Sequence, residues 1–255
     1  MTTILEQLNT KKEKKQKSFA VLLDPDKLSM PAFQKIIRLG IECKVDYFFI
    51  GGSLLAGNSL HELVLEIKNS TSIPVVLFPG NNLQIDPHAD AILFLSLISG
   101  RNPEYLIGQQ VVAAPILRNT RLEILSTGYM LVDCGEQTTV SYISNTTPIP
   151  YEKSSVAACT AMAGEMLGMK LIFLDGGSGS QKPISRKMIA TIRKVVEVPL
   201  IVGGGINSPG KAVDAWLSGA DVVVVGNGIE KDPNLLIEIS EKVQELNAAS
   251  ASDVH

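Results

Sequence analysis

Residues 171–228 read LIFLDGGSGSQKPISRKMIATIRKVVEVPLIVGGGINSPGKAVDAWLSGADVVVVGNG. Three short apolar runs, Leu171–Leu174, Leu200–Val202 and Val222–Val225, each end in a turn rich in glycine. Between them lie two segments with helical spacing of apolar residues, Ile184–Val196 and Ser208–Leu217. The runs are nearly continuous in apolar residues rather than alternating, which is how strands buried on both faces of a parallel sheet read. Strand, helix and strand in that order imply parallel strands joined by right-handed crossovers.

The same unit recurs upstream. Further apolar runs lie at Phe19–Leu23, Tyr47–Ile50, Val75–Phe78, Ala91–Leu95 and Gly128–Val132. The segments Pro31–Cys43, Ser59–Lys68, Pro103–Ile116 and Ser154–Leu167 read as helices, and Asp232–Leu246 closes the series. Ser29 and Pro31 form a helix-start signal for the first of these. Between the third and fourth runs stands GNNLQIDPHAD, residues 80–90, with a glycine, two asparagines and a proline. A helix of normal length does not fit there. Eight strands in a chain of 255 residues favour a closed (β/α)8 barrel of α/β class, with the third helix missing or degenerate. An open sheet is the second choice, and no GxGxxG follows the first run to support it.

Composition narrows the function. The chain is 45% hydrophobic, enough for a sizeable core, and carries a formal net charge of -3. Such a mildly acidic chain lacks the basic surface that nucleic-acid binding needs. Cys43, Cys134 and Cys159 are far apart, with no CxxC. That excludes a disulfide framework and fits a reducing, cytoplasmic setting. The longest apolar stretch, Ala91–Ile98, falls well short of the roughly 18 residues of a membrane-spanning helix. Residues 1–255 read as one domain, with a lysine-rich segment at 1–17 and a flexible tail at 247–255. Lys11, Lys12, Lys14, Lys15 and Lys17 read as the solvated face of a short helix, or as a weak attraction to an anionic membrane surface.

A barrel of this kind carries its site at the carboxyl ends of the strands. After the sixth run comes Asp175 with Gly176, Gly177, Ser178 and Gly179; after the seventh, Gly203, Gly204 and Gly205; after the eighth, Gly226, Asn227 and Gly228. Eight of the chain's 21 glycines fall in these three turns. Glycine permits positive φ and lets backbone N–H groups close on an anion, so the cluster points to a phosphate site. After the first run comes DPDK, residues 24–27. Two carboxylates and a lysine there suit a divalent cation held with a polyphosphate, Asp24 being the better ligand and Asp26 a turn or cap. Ser53, after the second run, could reach the same metal. His61 and His88 form no Ser/His/Asp set and no HExxH, which excludes protease-like chemistry. Cys134 and Trp216 read as core residues.

Taken together, LLDPDK at 22–27, GGS at 51–53, the stretch 78–110, FLDGGSGS at 173–180, VGGGI at 202–206 and VGNGIE at 225–230 resemble the geranylgeranylglyceryl phosphate synthase family, which includes bacterial heptaprenylglyceryl phosphate synthases. The resemblance covers nearly the whole chain and implies a modified TIM barrel without a regular third helix. It implies a Mg2+-dependent prenyltransferase of ether-lipid synthesis, joining geranylgeranyl diphosphate to the 3-hydroxyl of sn-glycerol 1-phosphate with release of diphosphate. Asp24 and Ser53 would then hold Mg2+. Phe173, Leu174, Asp175, Gly176, Gly177, Ser178 and Gly179, with Gly204, Gly205, Gly226 and Asn227, would bind glycerol phosphate, and Asp175 would be catalytic. The resemblance also implies a homo-oligomer, a dimer or a hexamer built from dimers. The sixth-strand motif departs from the family's Tyr-Leu-Glu, reading Phe173, Leu174, Asp175. Two alternatives stay open: a phosphosugar isomerase or lyase barrel, and a phosphate-binding barrel without catalysis.

Overall fold

The computed structural model describes residues 2–52, 59–135 and 137–252. Eight parallel strands close into a barrel in sequence order: β1 (Ser18–Leu23), β2 (Tyr47–Ile50), β3 (Val75–Leu77), β4 (Ala91–Leu97), β5 (Glu123–Leu131), β6 (Leu171–Asp175), β7 (Leu200–Gly203) and β8 (Val222–Val225). Strand β1 pairs with both β2 and β8, which closes the ring. The predicted strands all appear. The main difference is β5, which starts at Glu123, five residues before the apolar run; its first residues include Glu123, Ser126 and Thr127, and these polar residues hide the strand from a hydrophobicity reading.

Side chains alternate across each strand. Inward-pointing Phe49, Val76, Leu93, Leu131, Phe173 and Ile201 fill the barrel, while a second shell packs between strands and helices. The helices are α1 (Ile4–Glu13), α2 (Met30–Glu42), α3 (Ser59–Ser70), α4 (Gln109–Leu117), α5 (Thr139–Ser144), α6 (Ser154–Met166), α7 (Arg186–Arg193), α8 (Pro209–Leu217), α9 (Asn227–Lys231) and α10 (Asn234–Ser252). Helix α2 opens behind Ser29 with Pro31 in its first turn and buries Phe33, Ile36 and Ile37 along one stripe, as the sequence predicts. The segment predicted as one helix from Pro103 is a π-helical turn, Glu104–Gly108, running into α4. Trp216 is buried and donates its indole N–H to Ser18 O at 3.1 Å.

No helix stands between β3 and β4. Residues 78–90 are instead held by their own polar side chains. Gln84, 3% exposed, accepts from Gly80 N and donates to Gly52 O, both at 3.0 Å. Asp90 accepts from Val75 N at 2.8 Å and from Lys68 Nζ at 2.6 Å. Buried backbone groups that a helix would have paired internally find side-chain partners here.

Helix α1 seals the N-terminal end of the barrel. Thr3 and Glu6 form a capping box. The Glu123 carboxylate accepts from Ile4 N at 2.6 Å and Leu5 N at 2.9 Å, which places a negative charge at the positive end of the helix. Ile4 and Leu8 are buried under the barrel. The lysine cluster takes part in this closure: Lys11 pairs with Asp46, Lys12 with Glu197 at 3.4 Å, and Lys17 donates to Ala220 O at 2.9 Å. Three of the five lysines thus contact the barrel's own base. Among the described residues, no helix is long and apolar enough to cross a membrane.

Candidate active site at the barrel mouth

Asp175 ends β6 with its side chain inside the barrel, 8% exposed. It accepts the Tyr129 hydroxyl at 2.6 Å and Gly177 N at 2.7 Å. Burial pushes its carboxyl above the usual range, and the two hydrogen bonds oppose that rise. Tyr129 lies on β5 directly opposite Phe173 in register. Phe173 stacks on Phe78 with centroids 5.1 Å apart and meets Tyr129 edge-on at 5.7 Å. The hydroxyl beside the carboxylate thus comes from Tyr129 on the neighbouring strand, and Phe173 supplies none. The sequence reading did not name Tyr129, because its partner is 46 residues away. Leu174 is corrected: its side chain points outward into the shell between barrel and helices, as alternation along β6 requires.

The second centre is Lys27. Its ammonium donates to Asn227 Oδ1 at 2.6 Å and to Ser178 Oγ at 3.0 Å. It stands 3.5 Å from Asp24 Oδ2 and 3.5 Å from Glu230 Oε2. One side chain therefore joins the segment after β1 to the turns after β6 and β8. Burial raises the Glu230 pKa, Lys27 opposes the rise, and the Asp24 charge adds to it. Glu230 was missed as a site residue although VGNGIE contains it; one turn beyond Gly226, it faces back toward Lys27.

Asp24 behaves partly as a turn residue, since Asp26 N donates to its Oδ1 at 3.2 Å. Its carboxylate lies against Gly52, where a Cβ would come within 2.9 Å of it. Asp26 accepts from Ser59 Oγ at 3.3 Å, tying the turn to the start of α3. Ser53 lies outside the described residues.

The glycine turns after β6 and β7 take positive φ, whereas Gly226 after β8 does not, with φ -119°. Gly177, Gly179, Gly204 and Gly205 all have positive φ. At Gly204, φ is +84° and a Cβ would approach Gly176 N to 2.6 Å and Asp175 Oδ1 to 2.9 Å, so only glycine fits. Gly176 N is taken up by Gly203 O at 3.1 Å, and a Cβ there would face Cys134 Sγ at 3.0 Å. Burial beside Asp175 pushes the Cys134 thiol up to about 12, which suits the core role read for it and not that of a nucleophile.

Asp24, Lys27, Phe173, Asp175, Gly177, Ser178, Gly179, Gly204, Gly205, Gly226 and Asn227 all line one cavity of about 370 Å³. The cavity has two poles. One is polar, built from the glycine turns, Lys27, Asp24 and Glu230. The other is apolar, built from Leu95, Tyr105, Ala113, Leu117, Val140 and Ile143. The apolar wall comes from β4, the π-helical turn, α4 and α5, and the sequence reading could not name it.

Known proteins are similar to this chain along nearly their whole length. The geranylgeranylglyceryl phosphate synthase of Spirosoma linguale is 56% identical over 232 residues, covering 91% of this chain and 93% of that protein. The protein of the same name from Chitinophaga pinensis is 53% identical over 233 residues, covering 91% and 92%. The crystal structure of (S)-3-O-geranylgeranylglyceryl phosphate synthase from Thermoplasma acidophilum, in complex with sn-glycerol-1-phosphate, superposes with a TM-score of 0.90 at 31% identity, covering 96% of this chain and all of that one. A model of the PcrB family matches residues 9–245. From β1 to α10 the protein is a member of the PcrB family, among the geranylgeranylglyceryl phosphate synthases.

Proposed function

We propose that the protein joins geranylgeranyl diphosphate to the 3-hydroxyl of sn-glycerol 1-phosphate, forming geranylgeranylglyceryl phosphate and diphosphate. The observation that carries this reading is the two-poled cavity. A phosphate-bearing acceptor and a prenyl tail need one pocket that is polar at one end and apolar at the other. A phosphosugar isomerase has no use for the apolar half. A barrel that only bound phosphate would have no use for Asp175 buried beside a hydroxyl. The names of the Spirosoma linguale and Chitinophaga pinensis proteins support the twenty-carbon donor, and the glycerol phosphate complex of the Thermoplasma acidophilum protein supports the acceptor.

The turns of Ser178–Gly179, Gly204–Gly205 and Gly226–Asn227, with Lys27 among them, are suited to hold the glycerol phosphate anion. Asp175, kept basic by burial and aligned by Tyr129, orients the 3-hydroxyl and accepts its proton as the oxygen attacks the allylic carbon. Holding acceptor and donor in one cavity turns the encounter into a positioned reaction. The apolar wall shields the tail and the developing carbocation from water.

Asp24 and Ser53 are the ligands read from the sequence, and Glu230, beside the same lysine as Asp24, offers a further hard oxygen donor of the kind Mg2+ takes. When bound there, Mg2+ would neutralise charge on the departing diphosphate. The test is diphosphate release from geranylgeranyl diphosphate and sn-glycerol 1-phosphate with and without Mg2+. Turnover with Mg2+ is expected; its absence overturns the reading. Asp24→Ala should abolish turnover while leaving glycerol phosphate binding largely intact by calorimetry.

The enzyme is further proposed to act in the cytoplasm, which the free thiols of Cys43, Cys134 and Cys159 support, and as a homo-oligomer. Ile107, Val111, Val112 and Ile116 are all at least half exposed on the π-helical turn and α4, an apolar face that a second copy would cover.

A further inference from the structure

Two of the chain's three histidines converge on one buried carboxylate, away from the cavity. His61 lies in the first turn of α3, and Asp86 and His88 lie in the segment that replaces the third helix. His61 Nδ1 is 2.6 Å from Asp86 Oδ2, and His88 Nδ1 is 3.1 Å from Asp86 Oδ1. The rings meet nearly edge-on with centroids 5.1 Å apart. One candidate ligand atom from each residue falls within 4.8 Å of the others.

We propose that His61, Asp86 and His88 form a binding site for a divalent first-row transition-metal ion of the zinc type, with water completing its coordination. The donor set is two imidazoles and one carboxylate, which suits zinc and its neighbours and not the oxygen-seeking Mg2+ proposed at Asp24. Asp86 is fixed: its side chain is 6% exposed, and its Oδ1 also accepts His88 N at 2.9 Å. Both histidine side chains are 53% exposed, so the rings can close on an ion and solvent can reach it. The metal would replace the two Asp86–imidazole contacts with bonds to itself, fastening the 78–90 segment to α3. Gly80, Asn81, Asn82 and Ile85 of that segment line the cavity, so the ion would brace a wall of the pocket without touching the reacting groups.

The test uses the full chain without an affinity tag, stripped by chelator and returned to buffer containing excess Mg2+ to fill hard-oxygen sites. Zn2+ is titrated by calorimetry, and Co2+ by its visible absorption as a reporter of coordination. One equivalent per chain is expected. His61→Gln and His88→Gln should each weaken binding by at least about tenfold, and the double variant should bind no Zn2+ at this site. Zn2+ should raise the thermal midpoint of the wild type but not of the double variant. Metal-free midpoints of the variants near that of the wild type would show that the fold is retained. His255 is present in every variant, so binding there would persist in all of them. The proposal fails if the wild type takes up no Zn2+ even in large excess, leaving His–Asp–His a hydrogen-bonded staple. It also fails if the double variant binds as tightly as the wild type, placing the ion elsewhere.

Discussion

Asp175 is held between opposing influences, and that balance sets its usefulness as a base. Burial lifts its pKa; the Tyr129 hydroxyl and Gly177 N lower it. Removing the hydroxyl takes away one lowering influence, so in Tyr129→Phe the pKa should rise further. A base must be ionised to act, so the acidic limb of the pH–rate profile should move to higher pH. The turnover number should fall by about tenfold or more, with KM for glycerol phosphate little changed. Asp175→Asn should lose the limb altogether, together with most of the activity. Asp175 was legible because it ends a strand in front of glycines. Tyr129 and Glu230 were not, because each is defined by a partner across the barrel mouth: Tyr129 stands in no motif, and Glu230 closes one whose glycines drew the reading.

At the scale of elements, turns and helices divide the work between the two ends of the barrel. The turn after β7 has no room for a side chain at Gly204. Gly204→Ala should cost about 1–3 kcal/mol of stability, read as a lower thermal midpoint. It should also cut turnover, because the new methyl would press on Asp175. At the other end, Leu8 of α1 is 5% exposed beneath the barrel. Leu8→Ala should cost about 2–5 kcal/mol while kcat/KM at low temperature stays near wild type. A loss of activity without a loss of stability would show that α1 acts on the mouth. The sequence made the strands plain because strands buried on both faces are almost wholly apolar. The missing third helix was equally plain, since Gly80, Asn81 and Pro87 break any helical pattern. The plugging role of α1 was hidden, because its lysines dominate the reading and Ile4, Leu5 and Leu8 are its only apolar residues.

For the whole molecule, the apolar face on the π-helical turn and α4 is the feature still to be matched with a partner. Light scattering of the wild type should give a mass of at least two chains. Val111→Glu should shift it toward one chain, because a charge placed in a covered apolar face leaves that interface unfavourable. A wild type that runs as a monomer at working concentration would overturn the proposed oligomer. The barrel and its polar pole were legible from one sequence because strand ends and glycine turns are local signals. The apolar pole was not, because β4, α4 and α5 contribute to it from positions spread along the chain and only closure of the ring brings them together.

With α1 corking its base, the barrel is a cul-de-sac and not a tunnel. Under the proposed reaction, water-soluble and greasy cargo would both come and go at the mouth end. A lipid-tailed product that leaves slowly would then block the acceptor as well as the donor, and its own membrane, by drawing off the tail, would act as the sink that keeps the enzyme turning.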